Sequence, residues 1–173
     1  YLECLDTCQE LMEKRVGRDL CKAHDFCVFH SGGGVHVVRK AFDRLAKNCG
    51  VDSVEARNAL FSEKSDASTN LLRLIGPAHT ASSFVNLYSL LSALGEDAIG
   101  KTILVYTYGS GAMSSMYRLF VRDLPDMLPP AELDDILSSA TLVTPEQSIA
   151  LSRTYSDTWG KFDFVPGGDG EVK

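Results

Sequence analysis

At 173 residues, with 45% apolar and 23% charged side chains, the chain is long enough for one hydrophobic core and ordinary for a soluble globular domain. Its formal charge of −6 argues against a nucleic-acid partner, because phosphate binding wants clustered Lys and Arg. The most apolar stretch, Ser82 to Leu94, is broken by Asn86, Ser89 and Ser92 and falls short of the roughly 18 residues a spanning helix needs, so no membrane segment is expected.

The first residue is Tyr1, and helical periodicity starts at once with Leu2, Leu5, Met12 and Val16 on one side. No capping residue precedes them, so further sequence is expected upstream. No signal peptide is visible. Five cysteines, an odd number scattered through apolar segments, read as reduced thiols of a cytoplasmic protein, with the mitochondrial matrix as the other compartment.

Leu2 to Val16 reads as an amphipathic helix that loosens at Gly17 and Asp19. The apolar run from Asp25 to Phe29 predicts a strand buried on both faces, ending at His30. Ser31-Gly32-Gly33-Gly34 turns the chain into a helix from Val35 to Lys47, with Val35, Val38, Phe42 and Leu45 inward and Gly50 placed to close it. Ser53 caps a shorter helix, and the polar stretch Ser62 to Thr69 reads as a surface loop. After Leu71 to Ile75 and Gly76-Pro77, Thr80 or Ser82 is expected to cap a helix running to Leu94. Thr102 to Tyr108 and Met113 to Arg122 predict a hairpin around Gly109-Ser110-Gly111. Two helices follow, near Ala131 to Ser138 and Pro145 to Asp157. Strand, helices and hairpin together make a mixed α/β unit with helices packed on a sheet.

Four places could carry chemistry. His30 stands at the end of an apolar strand, where α/β sheets bind ligands, and an imidazole there can donate to a carbonyl or move a proton. The Ser31–Gly34 turn could face an anion, although turn chemistry alone accounts for its glycines. Tyr108-Gly109-Ser110-Gly111 is either a tight hairpin or a backbone left open for a substrate, with Ser110 as a donor. Cys21, His24, Cys27 and His30, spaced by three, imitate a metal list. Zinc ligands usually come as paired knuckles with a longer spacer, and on a strand Cys27 and His30 point to opposite faces. No metal is expected from that set. A serine nucleophile lacks its Gly-x-Ser-x-Gly elbow.

Taken together, the segments Asp25–Ser31, Ile75-Gly76-Pro77-Ala78-His79-Thr80-Ala81-Ser82 and Gly100-Lys101 through Tyr108-Gly109-Ser110-Gly111 resemble hydroxymethylglutaryl-CoA synthase in order and spacing. The resemblance runs from Tyr1 to about Asp163. It implies one half of a thiolase-like fold, with residues 1–173 as a C-terminal domain. In that family acetyl-CoA joins acetoacetyl-CoA through an acetyl-cysteine. By resemblance His30 contacts the acetoacetyl thioester, Gly109 and Ser110 meet the bound acyl group, and Lys40 contacts coenzyme A. The same register places His36 where another coenzyme-A lysine is expected, and Pro77 where the family has an asparagine donor. Proline offers neither a side-chain donor nor an N–H. Gly32-Gly33-Gly34 also replaces the family's proline after the histidine.

The nucleophilic cysteine and the general-base glutamate belong to the family's N-terminal half. The implied partners are therefore an acyl-CoA thioester as substrate, the missing N-terminal half, and a second copy in a full-length homodimer. No separate cofactor is implied. Two other readings stay open: a non-catalytic subunit that binds an acyl thioester, and a polyketide-branching or ketoacyl synthase relative.

Overall fold

The structure, a computed structural model, describes residues 1–17, 19–109, 111–124, 126–127 and 130–160. Two compact units divide after Pro130. The first holds a three-stranded sheet in the order β1 (Phe26–Phe29), β2 (Thr102–Gly109), β3 (Met113–Phe120). β1 runs parallel to β2, with Phe26 opposite Ile103 and Phe29 opposite Tyr106. β2 and β3 form an antiparallel hairpin in which Gly109 faces Met113.

Alternation along the strands sends side chains to two cores. Cys27, Phe29, Leu104 and Tyr106 pack with Leu5 of α1 (Leu2–Val16), with Val38, Phe42 and Leu45 of α3 (Val35–Asn48) and with Phe61 of α4 (Val54–Lys64). Val28, Ile103 and Val105 face the other way, onto Leu90 of α6 (Ser82–Leu94). Two-sided burial explains why β1 and β2 read as continuous apolar runs instead of alternating ones. The fold is therefore α/β, with helices on both faces of a mixed sheet, as expected.

Local chemistry places the helix ends. Gly17 takes a left-handed φ of 65° and its amide closes α1 on the Glu13 carbonyl at 2.7 Å. α3 stops in a Schellman turn: the Gly50 amide bonds Lys47 O at 2.9 Å and the Val51 amide bonds Ala46 O at 3.0 Å. Ser53 Oγ accepts from the Ala56 amide, as a cap should. At α6 the expected caps are absent. Ala81 occupies the N-cap without a side-chain bond, because a 3-10 turn at His79–Ala81 runs straight into the helix.

The polar stretch Ser62 to Thr69 is not a surface loop. Residues 62–64 complete α4, a 3-10 turn spans Asp66–Thr69, and Ser65, Ser68 and Thr69 are buried. The reason lies at β1, an outer strand of this sheet whose carbonyls at Cys27 and Phe29 face no strand. Ser65 Oγ donates to Cys27 O at 2.9 Å, and Asn86 Nδ2 donates to Phe29 O at 2.9 Å. α6 accordingly turns Ser82, Ser83, Asn86 and Ser89 inward, and leaves Phe84 70% exposed.

Short α2 (Leu20–Ala23) leads to buried His24, whose Nδ1 bonds Leu20 O at 2.9 Å. In the second unit α7 (Pro130–Ser138) precedes α8 (Pro145–Thr158), which opens on a Thr144/Gln147 capping box.

Two outcomes follow from these buried polar groups. Asn86→Ala leaves the Phe29 carbonyl without its donor and should lower unfolding free energy by about 1–3 kcal/mol. A urea midpoint unmoved by the substitution would show that the carbonyl is satisfied otherwise. His24 is held below its ordinary 6.5 mainly by burial, with Arg118 and Lys64 adding to the effect. The unfolded chain then takes up a proton that the native state refuses, so this part of stability is complete above the unfolded value and drains as pH falls through it. Urea midpoints measured from about pH 8 down to about pH 5 should decline, and His24→Gln should flatten that slope.

Candidate functional site

β1 delivers His30 to the C-terminal edge of the sheet, where its amide bonds Tyr106 O at 2.8 Å and extends the parallel ladder by one residue. Beside it opens a cavity of about 700 Å³ lined by His30, Gly32, Gly33, Val37, the segment around His79–Phe84, and Thr107 to Gly109. Three segments far apart in sequence meet here because two are strand ends of one sheet and the third enters α6. The Tyr108 ring lies 6.4 Å from the His30 ring, and Tyr1 packs on Tyr108 at 5.2 Å. Tyr1 also donates its hydroxyl to His30 O at 2.8 Å. Nothing in the local pattern around Tyr1 announced that bond, since the two residues meet only through packing.

The glycine turn has steric reasons at separate positions. A Cβ on Gly32 would stand 3.1 Å from His30 Nε2, and one on Gly33 would stand 2.9 Å from Val37. Gly34 holds a φ of 95°, which side-chain-bearing residues avoid. The turn therefore keeps the imidazole uncrowded and starts α3 beside it. Burial lowers the His30 pKa from 6.5, and nearby His79 lowers it further, so the ring is neutral at pH 7. A neutral imidazole offers one N–H donor and one lone pair, which suits a thioester carbonyl or a proton in transit. Among the described residues, Ser31 Oγ, Ser82 Oγ and Asn86 Oδ1 are buried with no partner.

The residues singled out by sequence do not all gather here. His30 and Gly109 line this cavity, while Ser110 lies outside the described residues. Pro77, which by resemblance stands where the family has its asparagine donor, is exposed and is not among the lining residues. Its segment enters through His79 and Thr80 instead. His79 adopts a φ of 46°, a left-handed conformation uncommon for a residue with a side chain. His36 and Lys40 line a second cavity of about 280 Å³ with Arg39, Asp43, Arg57 and Phe61. The glycine turn stands between the two cavities, since a Cβ on Gly33 would lie 3.9 Å from His36 Nε2.

Comparison with known proteins settles the family. Residues 46–172 match the family described as "Hydroxymethylglutaryl-coenzyme A synthase C terminal". The chain belongs to the hydroxymethylglutaryl-CoA synthase family. Human cytoplasmic hydroxymethylglutaryl-CoA synthase is 30% identical over 147 residues, covering 79% of this chain and 27% of the human protein. Hydroxymethylglutaryl-CoA synthase A of Dictyostelium discoideum is 25% identical, covering 84% and 38% respectively. The chain thus spans roughly a quarter to two-fifths of these relatives' length. Among solved structures, the HMG synthase of the curacin biosynthetic pathway, in complex with holo donor-ACP, superposes with a TM-score of 0.75 at 20% identity, over 90% of this chain and 38% of that one. PksG, an HMG-CoA synthase from Bacillus subtilis, superposes at 0.73 with 19% identity, over 90% and 39%. These neighbours place the fold in the thiolase class.

The His30 environment is directly measurable. Its imidazole should titrate below 6.5 by NMR, and His79→Gln should raise the value part of the way back while burial keeps it depressed. An unshifted titration in the variant would separate His79 from His30.

Proposed function

We propose that residues 1–173 are the C-terminal domain of an acyl-CoA condensing enzyme, the part that receives the acetoacetyl thioester. The reaction joins acetyl-CoA, acetoacetyl-CoA and water to give hydroxymethylglutaryl-CoA and free coenzyme A. The nucleophilic cysteine is contributed by the upstream half of the polypeptide. One observation carries this reading: the strand-end His30 and the Gly109 hairpin converge on one cavity with room for a small acyl group and its thioester.

In this mechanism neutral His30 donates a hydrogen bond to the thioester carbonyl of the acetoacetyl group. It holds the acyl group in place while the acetyl carbanion attacks the ketone carbon, and the proton that the upstream glutamate took from the acetyl group returns to the tertiary alkoxide. Ser110, next to Gly109, orients the acyl group. Lys40, with Arg39 and Arg57 beside it, faces the phosphates of the carrier, and His36 borders the same cavity. Leu74, Ile75 and Phe84, each more than half exposed, are apolar side chains for the upstream half to cover. The complete protein works as a homodimer in the cytoplasm or the mitochondrial matrix.

A second reading, a thioester-binding subunit without turnover, is favoured by Pro77. Where the family segment carries an asparagine donor, this chain has an exposed proline that is not among the residues lining the cavity.

The complete polypeptide separates the two. On the first reading it releases coenzyme A thiol from acetyl-CoA plus acetoacetyl-CoA, and His30→Gln lowers kcat by about 10²–10⁴-fold while acetoacetyl-CoA still binds. Binding without thiol release selects the second reading. Absence of acetoacetyl-CoA binding by calorimetry overturns both.

A further inference from the structure

Spacing alone set Cys21 beside His24, Cys27 and His30. The fold pairs it differently. One carboxylate oxygen of Asp19 and the sulfurs of Cys21 and Cys49 lie within 4.8 Å of one another, away from the acyl cavity. Two sulfurs on a tetrahedral zinc stand about 3.8 Å apart, given Zn–S bonds of ~2.3 Å. Closing the three groups on one ion therefore asks for about 1 Å of movement at most.

Backbone junctions hold the three groups. Asp19 is the N-cap of α2: its Oδ1 accepts from the Cys21 amide at 2.9 Å and the Lys22 amide at 3.3 Å. Oδ2 faces the Lys22 ammonium at 3.3 Å, and that side chain is 85% exposed and can swing away at little cost. Cys49 is the C-cap of α3, its amide bonded to Leu45 O at 3.0 Å and followed directly by the Gly50 turn.

An outer shell is present too. Gln9 Nε2 approaches Cys49 Sγ at 3.5 Å, in position to donate to a metal-bound sulfur. Cys21 is buried, whereas Asp19 and Cys49 are half-buried and border two openings of about 670 and 280 Å³. The site thus has an entry path and room for a water ligand.

Two sulfurs and one carboxylate suit a borderline-soft divalent ion. Magnesium and calcium prefer oxygen alone. We propose that Asp19, Cys21 and Cys49 form a zinc site with three protein ligands and an open fourth position, clamping the start of α2 to the end of α3. Each thiol gives up its proton to solvent as its sulfur bonds the metal, so one zinc ion displaces two protons and no oxidant is involved. The clamp acts at the far end of β1 from His30.

The test uses the full chain, reduced and metal-free, titrated with Co²⁺ and then with Zn²⁺. One cobalt per chain should give a sulfur-to-cobalt charge-transfer band and the visible bands of tetrahedral cobalt, both lost when zinc displaces it. The thermal midpoint should rise with free zinc concentration. Cys49→Ser should weaken binding by more than about 100-fold, the upper range for outer-shell changes alone, while Cys8→Ser should leave it intact. Asp19→Asn keeps a competent helix cap and removes the anionic ligand, so its loss of affinity is readable even if Cys49→Ser does not fold. A pale octahedral cobalt spectrum without the charge-transfer band overturns the site. So does a band that survives Cys49→Ser or, should that variant not fold, affinity undiminished in Asp19→Asn. A disulfide between Cys21 and Cys49 that persists in the freshly purified chain under reductant would likewise exclude the metal.

Discussion

A buried carbonyl must find a donor, and at β1 that requirement organises the first unit. The strand has one neighbour in the sheet, β2, yet it is buried on both faces. Its outward carbonyls at Cys27 and Phe29 can reach neither water nor a strand, and each unpaired one would cost on the order of 1–3 kcal/mol. Ser65 and Asn86 supply the donors. To do so the segment after α4 must fold inward as a 3-10 turn, and α6 must present its serine and asparagine side to the protein. The position of α6 then determines where the His79 segment enters.

The chemistry inherits this arrangement. His30 is the first residue past β1, tied to Tyr106 through its amide and to Tyr1 through its carbonyl. With both backbone groups fixed and the glycine turn leaving space around Nε2, the ring is oriented by its supports. Burial keeps it neutral, which is the state in which an imidazole can donate to a carbonyl and still exchange a proton near pH 7. Next along the chain from His30, Ser31 Oγ is buried and finds no partner among the described residues.

α6 shows how far tertiary demand can invert a helical pattern. A surface helix normally buries its apolar stripe and exposes its polar one. Here Ser82, Ser83, Asn86 and Ser89 are buried, while Phe84 at the cavity mouth is exposed together with Leu74 and Ile75. Ser89 Oγ donates to Ala67 O at 2.9 Å and lies 3.3 Å from the Leu71 amide, so the inward serines do the work of backbone pairing.

What could be read directly from the chain is what depends on near neighbours. Two-sided apolar runs gave β1 and β2, the 3.6-residue period gave α1 and α3, and Gly50 and the hairpin glycines marked stops and turns, because each reflects contacts within a few positions. The strand-end placement of His30 beside the Gly109 hairpin also followed, once order and spacing pointed to the family. Packing alone decided the rest. Asn86 meets Phe29 across 57 residues, Tyr1 meets His30 across 29, and Cys21 meets Cys49 rather than the residues three places along. The same holds for Pro77, whose backbone carries it outside the cavity while His79, two residues later, turns in. No local period encodes such pairs. They exist only when helices from separate parts of the chain dock on one sheet and bring donors to the outward carbonyls of its first strand.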